Sequence, residues 1–349
     1  MKLSVLDQSP VPVGSTPADA LQNTIALARL ADRLGYERYW IAEHHAMDTL
    51  ACPAPEILIA RVAAETSGIR VGSGAVLLPH YSPLKVVECF RMLHALYPNR
   101  IDLGIGRAPG GGPVESFALR RDRKSSADVD DFPEQLAELL GFLRHTLAKG
   151  HPFSEIKVSP EMPGAPDVWL VGSSEWSAAA AAQIGLPYAF AHFIGPEMTR
   201  AAIEYYHSRF VPSAETPKPR TLVALGAVCA DTEAEAQRLF ASTRLHIRRI
   251  RQAKRLPIPT PEQALAGLAE GPDPLLYDRG EWPRYIAGTP DQIRTALDRM
   301  ANALAVEEFM IITVIHDHRA RMHSYELLAE AFDLTPRPTQ TVPAADTTT

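Results

Sequence analysis

The stretch VGSGAVLLP, residues 71–79, and its partner IDLGIGRAPG, residues 101–110, decide the fold of this chain. Each is a short apolar run, typical of a β-strand, that breaks into glycines. Glycine gives a backbone room to approach a flat or anionic ligand, and α/β folds keep their binding sites at the carboxyl ends of their strands. We therefore expect an α/β protein whose functional site lies where these two strands end.

Strand-like runs alternate with helical patterns along the rest of the chain. The predicted strands are residues 3–6, 39–42, 71–77, 101–105, 168–171, 188–191, 221–229 and 309–315. Eight such units favour parallel pairing through right-handed crossovers and closure as a (β/α)8 TIM barrel with insertions. A doubly wound sheet is the alternative, but no GxGxxG motif follows the first strand.

The chain is predicted to form one domain over residues 1–334, with two insertions. Residues 111–130 are mostly polar and charged, and residues 253–288 are rich in proline and glycine. A loop as long as the second is usually a lid or a mobile binding segment. Residues 335–349 are of low complexity, so we expect a disordered tail.

Composition favours a small-molecule partner. The formal net charge is −6 and there is no dense Lys/Arg run, which argues against nucleic acid. The three cysteines are widely spaced, so neither a disulfide framework nor a zinc site is indicated. No apolar run resembles a signal or a membrane span. We expect a cytoplasmic protein that binds neither nucleic acid nor a membrane.

Glu43, His44 and His45 end the second predicted strand, at the rim where a barrel keeps its catalytic groups. Neighbouring side chains on a strand point to opposite sides, so at most one of the two histidines can face the barrel mouth. Histidine is the natural proton donor or acceptor near neutral pH, and we expect one of them to be active. The alternative is that both are structural.

A metal site is a weaker interpretation of the same rim. His316, Asp317 and His318 follow the eighth strand and could join Glu43 and His44 across the mouth. Their spacing matches no tight ligand pattern, and Asp317 or His318 can instead cap the helix that follows. We predict no metal.

Two features point to a phosphorylated ligand. Arg107 follows the fourth strand, where its guanidinium can hold a phosphate or carboxylate. Gly172, Ser173 and Ser174 follow the fifth strand and open a helix, whose free N–H groups and dipole favour an anion. The alternatives are a rim salt bridge for Arg107 and an ordinary helix cap for the serines.

Several separated motifs, in order, resemble the bacterial luciferase-like family of flavin-dependent monooxygenases, and most closely its single-chain, non-luminescent members. The motifs are IAEHH, VGSGAVLLPHYSPL, RIDLGIGRAPG, VGSSEWSAAAAAQIGLPYAF and DHRARMHSYEL. The resemblance extends over about residues 3–332 and is weakest in the two insertions.

The resemblance implies an FMN-dependent monooxygenase. Reduced FMN from a separate flavin reductase would react with O2, through a flavin C4a-hydroperoxide, and oxidise a small organic substrate. Three alternatives stay open: a dehydrogenase that uses the deazaflavin F420 on the same fold, a metal-dependent barrel hydrolase, and a non-catalytic flavin-binding accessory protein. The family also suggests a homodimer formed through an apolar helix face, such as that of the second or third helix.

The resemblance also assigns residues. By motif, a non-prolyl cis peptide that supports the flavin ring falls between Gly74 and Ala75. Arg107 matches the arginine that binds the phosphate, and Ser173 and Ser174, with Ser177 as a further candidate, match the helix start that holds it. His44 matches the histidine near the reactive part of the flavin.

One position departs from the family pattern. Gly106 stands where the luciferase α subunit has a reactive cysteine, so we expect no thiol chemistry and no light emission.

Overall fold

The computed structural model describes residues 1–121, 130–272, 275 and 280–338. Its strands are β1 Lys2–Asp7, β2 Arg38–Ile41, β3 Arg70–Leu77, β4 Ile101–Gly106, β5 Asp167–Gly172, β6 Tyr188–Ala191, β7 Thr221–Cys229, β8 Tyr285–Gly288 and β9 Glu308–Ile312. Strands β1 to β7 and β9 pair in parallel, in the order β1-β2-β3-β4-β5-β6-β7-β9, and β9 closes on β1. The predicted (β/α)8 barrel is confirmed.

Helices separate the strands and cover the outside of the barrel. They are α1 Pro17–Leu34, α2 Pro55–Ala64, α3 Pro83–Leu96, α4 Pro113–Leu119, α5 Phe132–Arg144, α6 Glu175–Ile184, α7 Thr199–Arg209, α8 Glu233–Arg251, α9 Pro261–Ala269, α10 Pro290–Leu304 and α11 His318–Ala331. The first helix begins and ends where its sequence indicates. Thr16 caps α1 by accepting a hydrogen bond from the Asp19 N–H, and Gly35 ends it with φ of 92°.

The region predicted as one long insertion, residues 253–288, contains regular structure that the sequence reading missed. Helix α9 packs on α8 through an apolar cluster that includes Leu245 and Ala264. Strand β8 pairs with the last four residues of β7, starting at Gly226, the residue at which the β7–β9 pairing ends. The following helix, α10, was also not predicted. Helix α9 and strand β8 are short and lie among prolines and glycines, which gives a weak periodic signal. Helix α10 has 15 residues and buries Ile293, Leu297, Met300 and Leu304 at helical spacing, so its sequence did indicate a helix.

Glycines let β3 and β4 lie close together. A Cβ at Gly72 would lie 2.5 Å from the Asp102 carbonyl oxygen, and one at Gly104 would lie 2.1 Å from the Ser73 carbonyl oxygen. Gly72 and Gly104 are therefore needed for the close packing of the two strands. The sequence analysis had explained all the glycines of the motif by close approach of the backbone to a ligand. The register between the two strands shifts between Ser73 and Val76.

Buried charges fill the N-terminal end of the barrel. Arg38 is 3% exposed and donates to Asp102 at 2.8 Å and to Glu308 at 2.9 Å. Trp40 donates to the same Asp102 carboxylate at 2.9 Å. Satisfied ion pairs of this kind close the lower end of the barrel, so the open space lies towards the carboxyl ends of the strands.

The described start of the predicted tail lies against α1. The backbone N–H of Arg337 donates to the Arg33 carbonyl at 3.0 Å, and its guanidinium donates to the Asp32 carbonyl at 3.1 Å. The rest of the tail, residues 339–349, lies outside the described residues, as do residues 122–129 of the first insertion and residues 273–274 and 276–279 of the second. Among the helices described, none is long and apolar enough to cross a membrane.

Candidate active site

A cavity of about 490 Å³ opens at the carboxyl ends of the strands. Every residue predicted to form the site lines it: His44, Gly74, Ala75, Arg107, Gly172, Ser173 and Ser174. They come from the ends of β2, β3, β4 and β5, which parallel pairing brings to one rim. The structure therefore gathers into one space residues that are up to 130 positions apart in sequence.

The peptide bond between Gly74 and Ala75 is cis, as the resemblance implied. It lies at the register shift of β3 and faces the cavity. A Cβ at Gly74 would lie 2.8 Å from Leu6 Cδ1 and 3.2 Å from Trp40, so the barrel interior leaves no room for a side chain there. This glycine is thus required by packing at the floor of the cavity.

Arg107 lies at one end of the cavity and has two partners among the residues that the structure describes. Its guanidinium stacks over the indole of Trp176, 4.6 Å from the ring centroid, and its Nη1 donates to the Asp130 carboxylate at 2.9 Å. The rim salt bridge considered as an alternative therefore exists. The pair is half-exposed, so water screens it and the guanidinium stays available to an anion.

The start of α6 faces Arg107 across the same end of the cavity. Ser174 caps the helix, and its hydroxyl accepts from the Ser177 N–H at 3.4 Å. Ser177 is buried, and its hydroxyl lies 2.9 Å from that of Tyr188. The helix cap considered as an alternative is thus present at Ser174. Ser173, the residue before it, lines the cavity. The helix start and Arg107 together form a cationic end.

His44 lines the cavity and is held as a neutral base. Burial, with a smaller contribution from His45, lowers the pKa of His44 to about 4. Its Nδ1 is buried and has no hydrogen-bond partner among the described residues. The backbone N–H of His44 donates to the Cys52 carbonyl at 3.0 Å, which fixes the residue at the end of β2. The neutral imidazole lines the cavity, where it can exchange a hydrogen bond or a proton with a ligand.

His45 does not line the cavity, although Glu43 and His44 both do. Its Nε2 lies 2.7 Å from Glu43, whose carboxylate also accepts from the Leu77 N–H at 3.0 Å and from the Tyr81 hydroxyl at 2.8 Å. Burial raises the pKa of Glu43. The sequence reading placed Glu43 only at the rim, whereas the structure shows it bridging β2, β3 and the segment before α3.

The residues considered for a metal site have other partners. His316 Nε2 lies 3.0 Å from the Val13 carbonyl oxygen, and Asp317 caps α11 by accepting from the Ala320 N–H at 2.8 Å. Burial, then the charge of Arg321, lowers the pKa of His318 to about 4. Within the described part of the chain, no group of three or more His, Cys, Asp or Glu side chains is placed to hold a metal ion.

Sequence reasoning missed the apolar part of the cavity. Its deeper wall lies inside the barrel and consists of Leu6, Trp40, Ala189, Leu222, Ala224 and Met310. These residues alternate along their strands, so a count of inward positions would have found them. The sequence analysis also missed Trp176. Its position in the first turn of α6, directly after the predicted phosphate-binding residues, could have indicated that it lines the cavity.

Residues of the second predicted insertion support the cavity indirectly. Arg284 donates to the carbonyls of Phe193 and Ile194, both at 3.0 Å, and these two residues line the cavity. The Pro283 carbonyl lies 3.1 Å from the Nε2 of the buried His192. None of the described residues of the 253–288 segment lines the cavity itself.

The closed barrel and the position of its cavity define a TIM-barrel enzyme with its site at the carboxyl ends of the strands. A model of the luciferase-like monooxygenase family matches residues 1–307. The chain belongs to this family and is a monooxygenase.

Relatives cover almost the whole chain. YwcH of Bacillus subtilis, an uncharacterized protein, is 43% identical over 95% of this chain and 99% of its own length. The N-acetyl-S-alkylcysteine monooxygenase of the same organism is 35% identical over 95% of this chain and 98% of its own length. The crystal structure of apo-MsnO8 superposes with a TM-score of 0.90 at 55% identity, covering 96% of this chain and 99% of that one.

More distant solved structures share the fold alone. The oxygenating constituent of 3,6-diketocamphane monooxygenase from Pseudomonas putida, in complex with FMN, has a TM-score of 0.70 at 21% identity and covers 95% of this chain and 98% of that one. An F420-dependent secondary alcohol dehydrogenase has a TM-score of 0.66 at 12% identity, with the same coverage. The fold therefore accommodates both kinds of flavin cofactor.

Proposed function

We propose that the protein is an FMN-dependent monooxygenase that receives reduced FMN from a separate flavin reductase and uses O2 to oxidise a small organic substrate. One observation carries this proposal: the backbone at Gly74 and Ala75, the neutral His44 and the cationic end formed by Arg107 and the α6 start all line one cavity.

The cavity suits FMN in both size and chemistry. Its volume of about 490 Å³ lies within the range of cofactor sites. One end offers Arg107 and the N–H groups of α6 to a phosphate, while the largely apolar interior can cover the faces of a flat aromatic ring. His44 adds a neutral imidazole to the wall of the cavity.

Each residue then has a distinct task. Arg107, Ser173 and Ser174 hold the phosphate. The backbone at Gly74 and Ala75 supports the ring. His44 accepts or returns a proton beside it, and the apolar barrel interior excludes water from the reaction. When bound, reduced FMN supplies the electrons that activate O2.

The substrate is expected to be small, uncharged and largely apolar. The deeper wall of the cavity consists of aliphatic, aromatic and alanine side chains, and Glu43 and Arg107 are the lining residues with a carboxylate or guanidinium group in the described structure. The need for a reductase is supported by the diketocamphane enzyme, whose FMN-bound chain is the oxygenating constituent of its monooxygenase.

Comparison of FMN with riboflavin tests the site directly, because riboflavin lacks only the phosphate. We expect the wild-type protein to bind FMN more tightly than riboflavin. Arg107→Gln should raise the FMN dissociation constant at least tenfold, about 1.4 kcal/mol, and leave riboflavin binding unchanged. Arg61→Gln, at an exposed arginine of α2, is the matched control. Equal weakening of both ligands, or of neither, would contradict the assignment.

We also propose a homodimer formed through α2 and α3. The two helices pack side by side on the barrel, and each exposes large apolar side chains. Ile57 of α2 is 71% exposed, and Met92 and Leu96 of α3 are 54% and 62% exposed. Apolar side chains so exposed on neighbouring helices favour contact with a second copy of the chain.

A further inference from the structure

A second cavity, of about 450 Å³, lies at the opposite end of the barrel from the proposed flavin site. It is bounded by α3, by the last turn of α5 and by the segments that precede β5, β6 and β7. It shares no lining residue with the first cavity within the described structure. A ligand here would not touch the residues assigned to FMN.

The wall of this cavity contains a buried cation without a carboxylate partner. Arg91 is 3% exposed, and its Nη2 donates to the Leu143 carbonyl at 3.0 Å and lies 3.0 Å from His145 Nε2. Among the described residues, no carboxylate pairs with Arg91, and its Nε has no hydrogen-bond partner. A buried charge is costly unless an opposite charge compensates it, so this guanidinium favours an anion in the cavity.

Two further arginines line the same cavity and are loosely paired. Arg144 lies 3.3 Å from Glu215, and Arg220 lies 3.5 Å from Asp167. Both distances exceed the 2.7–2.9 Å of a strong charge-assisted hydrogen bond, so both guanidinium groups keep donor capacity. The cavity thus has three arginines against two carboxylates.

Most of the remaining wall is apolar. The apolar part consists of Leu140, Leu143, Met162, Ala165, Pro166, Val168, Leu186 and Pro187, and His145, Gly164 and Thr216 also line the cavity. An inorganic anion would leave this surface in contact with water, whereas a ligand with an apolar body would cover it. The two walls together suit a molecule with an anionic head and a hydrophobic body.

We propose that this cavity is a second binding site, which takes a small organic carboxylate. The carboxylate lies against the guanidinium group of Arg144, whose planar arrangement of donors matches its two oxygens. The buried charge of Arg91 attracts it as well, and Arg91 Nη1 has only a long contact, 3.5 Å, with the Met162 carbonyl among the described residues. The apolar body lies against the side chains of the opposite wall. The site is independent of the flavin site and of the chemistry proposed there.

Titration calorimetry with benzoate tests the proposal. Benzyl alcohol serves as a control that has the apolar ring without the charge, and inorganic phosphate as a control that has the charge without an apolar body. We expect benzoate to bind with a stoichiometry of one and both other probes to bind at least tenfold more weakly. Arg144→Ala should raise the benzoate dissociation constant about tenfold. Glu215→Gln should lower it several-fold, because it releases Arg144 from its carboxylate partner.

Two controls locate the binding. Arg107→Gln should leave benzoate binding unchanged if the ligand occupies the second cavity, whereas loss of binding would place benzoate in the first. Arg91→Met, verified as folded by circular dichroism, should abolish binding. The proposal is overturned if benzoate does not bind, if benzyl alcohol or phosphate binds as tightly, or if Arg144→Ala and Glu215→Gln both leave the affinity unchanged.

Discussion

The carboxylate of Glu43 accepts a hydrogen bond from the backbone N–H of Leu77, with Oε2 3.0 Å from the nitrogen. This bond joins the end of β2 to the end of β3, two residues beyond the Gly74–Ala75 peptide. The same carboxylate accepts from the Tyr81 hydroxyl. The backbone proposed to support the flavin ring is therefore held in place by a buried carboxylate.

Replacement of Glu43 should destabilise the protein. Glu43→Ala leaves the Leu77 N–H and the Tyr81 hydroxyl without their acceptor, so we expect a loss of about 2–3 kcal/mol in the free energy of unfolding. Tyr81→Phe removes one bond and leaves the carboxylate, so it should cost about 1 kcal/mol. Urea denaturation measures both. Equal stability of Glu43→Ala and the wild type would show that these bonds do not hold the rim.

Three histidines with lowered pKa values should make the protein sensitive to acid. Burial is the largest cause that lowers the pKa of His44, His246 and His318 to about 4, from 6.5 in the unfolded chain. Between these values the unfolded chain binds more protons than the folded protein, so the free energy of unfolding falls as pH falls from 6.5 towards 4. The expected slope is about 1.4 kcal/mol per pH unit for each histidine.

Single histidine variants test this interpretation by urea denaturation between pH 5 and 6.5. His246→Asn should reduce the slope of stability against pH by about one proton. His323→Gln is the control: hydrogen bonding to Asp231 raises the pKa of this exposed histidine, so its contribution is lost as pH rises above 6.5, outside the test range. An unchanged slope in His246→Asn would mean that His246 is protonated in the folded protein.

Release of Arg107 from its salt bridge should strengthen FMN binding. Asp130 competes with a phosphate for the Arg107 guanidinium, which it meets at 2.9 Å. We therefore expect Asp130→Asn to lower the FMN dissociation constant a few-fold, as measured by quenching of flavin fluorescence. Riboflavin affinity should not change. Weaker or unaltered FMN binding would indicate that Arg107 does not meet the phosphate.

The proposed dimer interface can be disrupted by a single charge. Leu96→Glu places a carboxylate on the exposed face of α3, where a second copy of the chain would bury it without a partner. We expect light scattering after size exclusion to show a dimer for the wild type and a monomer for Leu96→Glu. Leu265→Glu, on the exposed face of α9, should remain dimeric. A wild-type monomer would refute the interface.

Much of the fold was predictable because each barrel strand is a compact apolar run followed by an amphipathic helix. The two glycine-rich strand ends correctly marked the mouth of the barrel, and Arg107, Ser173 and Ser174 converge as their places after β4 and β5 predicted. Of the two histidines, His44 lines the cavity and His45 does not, but both lie beyond Ile41, the last residue of β2, and Glu43 lines the cavity beside His44, so strand alternation is not the reason.

Other features depend on tertiary contacts that leave little local signal. Strand β8 has only four residues and is defined by its pairing with β7. The role of Gly104 follows from its distance to the Ser73 carbonyl on the neighbouring strand. The carboxylate of Glu43 accepts from the backbone N–H of Leu77, 34 residues away. Almost every residue has a backbone N–H, so the identity of Leu77 gives no sign of this contact.

The central claim is that the first cavity binds reduced FMN, and an anaerobic titration with reduced FMN and reduced F420 in parallel tests it most directly. We predict that reduced FMN binds with a stoichiometry of one, at least tenfold more tightly than reduced F420, and that Arg107→Gln removes most of the difference between FMN and riboflavin. Tighter binding of reduced F420, or no binding of reduced FMN, would contradict the account.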